Sequence, residues 1–331
     1  MALILESPAY KGKLGVFWGN RLLRLFPVYA FVLVLTTLAG LAIWYVSGRP
    51  NLLFAWVRNI DQLSIGTIGY LTLSNLLIAG QSVNFFLSIR SDGALAATDG
   101  FESALVEPVQ FMLVPQAWSI DLELMFFCLA PFLVRLRTWL LVFAIVLTTI
   151  ARFKWYDYHS VAAAHAGAWG GRFFPFEIAI FLAGILSYRI YDYLNRHAMA
   201  IRYLRLVGVA TLLLVLIWFF RFPGSTFAQG DFYGLIYFFA FLSIPVIFFA
   251  TKESRVDTWI GDLSYPIYIT HFFVISMLRP YMPDLVNLAV VACVLTLAAS
   301  VGLKMYISDP IDKCRTARKR ASRSVTKPAD S

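Results

Sequence analysis

The chain has 331 residues, 60% of them hydrophobic and 14% charged, with a mean hydropathy of +0.71; soluble domains average about 45–50% apolar and about 25% charged, so a water-soluble globule is excluded. Divided into apolar stretches of about 20 residues with short connections, this length leaves no room for a separate soluble domain. The net charge of +9 would also suit nucleic acid, but a polytopic chain carries its Lys and Arg in cytoplasmic loops, so the expected partner is the lipid bilayer and no nucleic acid.

Eight apolar stretches are long enough to span, at 26–46, 117–134, 138–153, 173–188, 204–220, 232–250, 259–278 and 285–307. The expected fold is all-α: a polytopic integral membrane bundle of about eight transmembrane helices over residues 1–312, followed by a basic, disordered tail at 313–331. If the N-terminus is cytoplasmic, the inner side receives 4 Lys and Arg up to Arg24, 2 at Arg135 and Arg137, 4 between Arg189 and Arg205, 2 near Lys252 and 8 from Lys304 onward, 20 of the 28 in the chain. That is the bias the positive-inside rule requires, so both termini are expected in the cytoplasm, with the tail near anionic headgroups.

Residues 47–116 then fall on the far side, although "GTIGYLTLSNLLIAGQSVNFFL" within them is strongly apolar. A segment that must return to its starting side is re-entrant, interfacial or a pair of short helices, and a lid-like insertion is expected. No internal repeat hints at an inverted-repeat transporter. Cys128, Cys293 and Cys314 show neither paired nor metal-ligand spacing, so no disulfide and no metal site is expected.

Ionisable groups inside a span cost at least about 2.5–3.5 kcal/mol each, which singles out Asp121, Glu123, Glu177 and His271. Glu123 lies about six residues, or ~9 Å, inside the outer end of its span, and His271 about seven residues, or ~10 Å, inside the outer end of its own. Their matching depths predict that they meet, as a carboxylate orienting an imidazole or an imidazole taking a proton from a hydroxyl. The alternative is two separate buried polar groups satisfied by tyrosines and backbone.

Ser264, Tyr268 and His271 share one helical face by i, i+4, i+7, and Ser119, Glu123 and Phe127 share another by i, i+4, i+8. Pro266 fits the first turn of its helix, with Asp262 or Ser264 as cap. In "NRLLRLFPVY", Arg21 and Arg24 stand three apart on one side of a helix. Two guanidiniums so placed suit the paired oxygens of a phosphate, as on a nucleotide-bearing substrate, although topology determinants and lipid anchors look the same. His159, His165 and His197 fall in expected loops.

Four blocks in order, "FWGNRLLRLFPVYAFVLVL", "LTLSNLLIAGQ", "AWSIDLELMFFCLAPFL" and "IGDLSYPIYITHFFVI", resemble the acyltransferase-3 family of bacterial membrane O-acyltransferases over most of the chain. The resemblance implies transfer of an acyl group, commonly acetyl, from cytoplasmic acyl-CoA (acetyl-CoA) as co-substrate to a hydroxyl of a carbohydrate acceptor across the inner membrane. It implies that Arg21 and Arg24 hold the donor's phosphates. Trp118, Ser119 and Glu123 would shape the conduit, and Tyr265, Tyr268 and His271 would face them, with Ser264 on the same stretch. Family members begin with two further spans, the first bearing a histidine taken as the catalytic base; "MALILESPAY" resembles the tail of the second. An N-terminally truncated form of a ten-helix protein is therefore expected. A non-enzymatic glycan or lipid carrier and an inactive fragment are the other readings.

Overall fold

The computed structural model describes residues 13–97, 106–160, 171–196, 208–213, 216, 241, 243–249 and 251–324. Helix α1, Leu14–Ser47, has 34 residues, about 51 Å at 1.5 Å per residue and well beyond the ~30 Å hydrocarbon core. It ends where Gly48 turns left-handed at φ 66° and returns its N–H to the Trp44 carbonyl, the stop that glycine makes cheap.

The chain then folds into a lid of short elements: α2 (Phe54–Asn59), α3 (Ile65–Leu77), and an antiparallel hairpin of β1 (Leu87–Ile89) and β2 (Leu95–Ala97) with Leu87 opposite Ala97. Ser64 caps α3 by accepting the Thr67 N–H at 3.2 Å. At 13 residues, or about 20 Å, α3 is too short to cross. The apolar stretch at 66–87 is thus a non-spanning insertion.

Its polar residues explain how it is held. The Tyr29 hydroxyl of α1 donates to the Asn75 carbonyl and accepts from Gln81 Nε2 at 2.9 Å, while Gln81 Nε2 also donates to the Ser74 carbonyl at 3.1 Å. Asn75 Nδ2 donates to the Leu71 and Phe111 carbonyls at 2.9 and 3.0 Å, and its Oδ1 accepts the Leu113 N–H at 2.9 Å. Burial, then the Asp121 charge, pushes the Tyr70 hydroxyl up to about 12, so it stays protonated and donates to the Gly80 carbonyl at 3.0 Å.

The remaining described helices are α4 (Trp118–Leu133), α5 (Thr138–Ser160), α6 (Phe174–Arg196), α7 (Arg255–Leu278), α8 (Leu285–Leu303) and α9 (Asp309–Ser324), with a π-helical segment Lys304–Ser308 joining α8 to α9. Helix α7 packs on α1 and α8, α4 on α1 and α6, α5 on α6, and α9 on α1. The polarity is inside out. Asn20, Arg21, Thr36, Asn75, Gln81 and Asp121 are buried, while Val146, Leu147 and Ile150 of α5 are 50%, 54% and 53% exposed. Large apolar side chains turned outward over whole helices need lipid around them.

Among the described residues, five segments are long and apolar enough to cross: Leu14–Ser47, Pro115–Leu133, Thr138–Trp155, Phe174–Arg196 and Leu285–Arg318. They account for the expected spans at 26–46, 117–134, 138–153, 173–188 and 285–307, and the all-α polytopic architecture holds. The expected span at 259–278 is helical, as α7, but falls outside that group because Asp262, Pro266, the tyrosines and His271 dilute its apolar residues. The expected spans at 204–220 and 232–250 lie largely outside the described residues; the described parts, 208–213, 216, 241 and 243–249, are helical.

Three local expectations change. Helix α7 starts at Arg255, where Ser254 Oγ accepts the Asp257 N–H at 3.2 Å, so Pro266 is interior and not in a first turn capped by Asp262 or Ser264. His159 lies within α5 and not in a loop, while His165 and His197 lie outside the described residues. The tail expected to be disordered from 313 continues as helix to Ser324, docked on α1, and 325–331 lie outside the described residues.

Candidate active site

Helices α1, α4 and α7 meet along one seam, and its hydrogen bonds fix the register. Tyr265 of α7 donates to the Leu25 carbonyl of α1 at 2.6 Å, one residue past Arg24. Tyr265 is also within electrostatic reach of Glu123 on α4. Three residues further along α7, the Tyr268 hydroxyl lies 2.6 Å from Ser119 Oγ. Both hydroxyls reach the Gln116 carbonyl, at 2.9 and 3.2 Å, so one proton goes to the carbonyl and the other lies between them. Gln116 Nε2 closes the ring by donating to the Ile269 carbonyl at 2.7 Å. Helix α4 therefore runs antiparallel to α7, with Glu123 level with Tyr265 and Ser119 level with Tyr268.

This register separates the two groups expected to meet. His271 stands six residues beyond Tyr265, about 9 Å along the axis, and no hydrogen bond or ion pair joins it to Glu123 among the described residues. The depth match failed because α4 and α7 extend differently past their apolar cores, so distances counted from sequence-defined ends did not share an origin. Glu123 instead lies within electrostatic reach of the guanidiniums of α1, Arg24 more strongly than Arg21. Arg21 is only 6% exposed and lies over the Phe17 and Phe127 rings at 5.5 and 5.6 Å. The Trp18 indole donates to the Phe127 carbonyl at 2.9 Å and ties α1 to α4 at this level.

His271 Nδ1 is 2.7 Å from the Tyr268 carbonyl. A carbonyl only accepts, so in the neutral ring Nδ1 carries the hydrogen and Nε2 holds the lone pair. That is the tautomer a general base needs at Nε2.

The other sequence-predicted residues divide. Trp118 packs edge-on against Phe85 of the lid at 6.0 Å, and the Arg172 guanidinium covers both rings at 4.0 and 5.4 Å, so Trp118 joins lid to bundle. Ser264 is exposed and donates to the Gly261 carbonyl at 2.7 Å, apart from the Ser119 and Tyr268 pair. Asp121 is structural: it accepts the Gly80 N–H at 3.2 Å and the Ser82 N–H and Oγ at 2.8 and 2.6 Å. Glu177 pairs with Arg152 at 3.2 Å between α5 and α6, and Asp262 with Lys304 at 3.7 Å.

Gln116, the hub of the hydroxyl ring, escaped sequence reading, as did Tyr29, Asn75 and Gln81. The signal available was their position inside or beside the four quoted blocks, as polar residues in apolar runs with no charge to draw notice.

No curated protein and no solved structure matches the chain. A family model for the acyltransferase-3 type, described as an acyltransferase domain, matches residues 2–305. That match takes in all four blocks and every residue of the α1, α4 and α7 seam, and the chain belongs to the acyltransferase-3 family.

Proposed function

We propose that this protein is a membrane O-acyltransferase that moves an acyl group, acetyl in the simplest case, from cytoplasmic acyl-CoA to a hydroxyl of a surface or exported glycan. The observation that carries this reading is the order of groups along the seam: two guanidiniums beside a carboxylate, then paired hydroxyls, then an imidazole with its Nε2 lone pair available. Arg21 and Arg24 hold the donor's phosphates, and Glu123 balances and orients them when the site is empty. No bound cofactor is invoked; acyl-CoA is a co-substrate.

His271 Nε2 accepts the proton of the acceptor hydroxyl as its oxygen attacks the thioester carbonyl carbon. The tetrahedral adduct collapses with cleavage of the C–S bond, and the departing thiolate takes up the proton. One hydroxyl hydrogen of the Ser119 and Tyr268 pair turns from the Gln116 carbonyl to donate to the developing oxyanion, and alignment of donor and acceptor supplies much of the rate. In this reading the arginine end faces the cytoplasm, with both termini, and the lid faces outward from a bacterial inner membrane.

The test is incubation of purified protein in lipid discs with radiolabelled acetyl-CoA and a glycan extract. Transfer of label to carbohydrate, abolished in Arg24→Ala protein that still reaches the membrane, is the expected result. Unchanged acylation in that variant removes the donor-site assignment, and an intact thioester in the wild type indicates a carrier.

A further inference from the structure

A cavity of about 370 Å³ opens at the lid end of the α1 and α7 pair. Six of its lining residues define its chemistry: Thr36, Asn51, Gln116, Phe272, Ser276 and Arg279. Two of these are built for a ligand. Thr36 is 3% exposed and Gln116 7%, yet Thr36 Oγ1 and Gln116 Oε1 have no hydrogen-bond partner. Orphaned buried polar atoms are costly, and cavity-lining ones are satisfied when an occupant brings the missing partners. Gln116 Oε1 only accepts, so its partner must bring an O–H or N–H; Thr36 can donate or accept. The Phe272 ring adds an apolar wall, the usual companion of a few placed polar groups in a ligand site. At the mouth stands Arg279, exposed and with no ion pair among the described residues.

The cavity is joined to the seam. Gln116 offers its carbonyl to Ser119 and Tyr268 while its side chain lines the cavity, and Phe272 follows His271 in the chain. Ser276 lies eleven residues beyond Tyr265 on α7, as Thr36 lies eleven beyond Leu25 on α1, about 16 Å from the level of the Tyr265–Leu25 bond in both helices. His271 falls between the guanidiniums and the cavity.

We infer that this cavity is the acceptor subsite and that it takes a hydroxyl-rich sugar ring bearing an anionic group, the hydroxyls meeting Gln116 Oε1 and Thr36 Oγ1 and the anion meeting Arg279. As an acceptor subsite it rests on the acyltransferase reading. A carboxylate or a phosphate on the sugar satisfies the guanidinium fork equally.

The probes are methyl glucoside, its 6-phosphate and methyl glucuronoside, titrated calorimetrically into the full chain in lipid discs, with acetyl-CoA titrated separately into the same preparation. The wild type is expected to bind both anionic sugars saturably and more tightly than the neutral one. Ser276→Trp, which fills the cavity, and Thr36→Val should each bind at least about 10-fold more weakly. Arg279→Gln, an exposed rim change that leaves the interior untouched, should bring anionic and neutral sugars to nearly equal affinity. Acetyl-CoA binding should not change in any of them. Absence of sugar binding in the wild type, sugar binding indifferent to Ser276→Trp, or a phospholipid released from the cavity by that variant overturns the inference. Loss of acetyl-CoA binding by the wild type, with sugar binding intact, overturns the enzyme reading and leaves the cavity as a saccharide site.

Discussion

The seam shows how far a single side chain's role depends on the partner it is given. Asp121 and Glu123 are two residues apart on α4, yet Asp121 faces the lid and is saturated by three donors, whereas Glu123 is within electrostatic reach of two guanidiniums of α1. Replacement of Asp121 by Ala strands the Gly80 and Ser82 donors and should cost about 2–3 kcal/mol, seen as a lower thermal midpoint and faster proteolysis of the lid. Glu123→Gln should leave folding intact and weaken acyl-CoA binding through misplaced arginines. His271→Ala is expected to lower kcat for acyl transfer by about 10²–10⁴-fold with KM for acyl-CoA unchanged, as for loss of a general base; a variant that loses both together would show a structural role. Arg24→Lys keeps the charge but loses the planar fork, so transfer should fall well short of wild type in a kcat/KM assay.

Elements set the limits within which those side chains act. Gly93 closes the hairpin at φ +76°, and a Cβ there would come 2.2 Å from the Gln62 carbonyl oxygen and 2.7 Å from the Ser64 nitrogen. Both neighbours are backbone and cannot step aside, so Gly93→Ala should displace the hairpin from the α3 cap and destabilise the lid. Hydrogen exchange over residues 87–97 is the measurement; unchanged protection would contradict it. Helix α7 teaches the complementary lesson. Its first turn carries Arg255 and Asp257 and falls before the span read at 259–278, and Pro266 reads as a first-turn residue. In the fold Ser254 caps the helix, Lys304 meets Asp262, and the proline sits inside, where its ring removes one backbone hydrogen bond without ending the helix.

At the scale of the whole molecule, the lid and helix α9 lie at opposite ends of α1, and the proposed orientation makes a direct prediction. Ser91, exposed in the hairpin turn, replaced by Cys in a background lacking the other thiols, should react with a membrane-impermeant maleimide in intact cells. Cys314, exposed on α9, should react only after the membrane is opened. Labelling of both from one side would refute the arrangement.

Composition and hydropathy alone determined that this is a helical membrane protein, because about 20 apolar residues in a row have no other way to satisfy their backbone in lipid. The four blocks, read in order, were enough to point to the family, and they marked Arg21, Arg24, Ser119, Tyr265 and Tyr268 as neighbours of one site. Only the tertiary structure decided which residues face each other. Depth counted from a helix end carries an error of a turn or more, whereas pairing is set by side chains locking across helices more than a hundred residues apart. Tyr265 on the Leu25 carbonyl and Gln116 on the Ile269 carbonyl are such locks; they brought Glu123 within electrostatic reach of the arginines, left His271 about 9 Å further on, and set two residues with orphaned polar atoms along a cavity that no linear pattern contains.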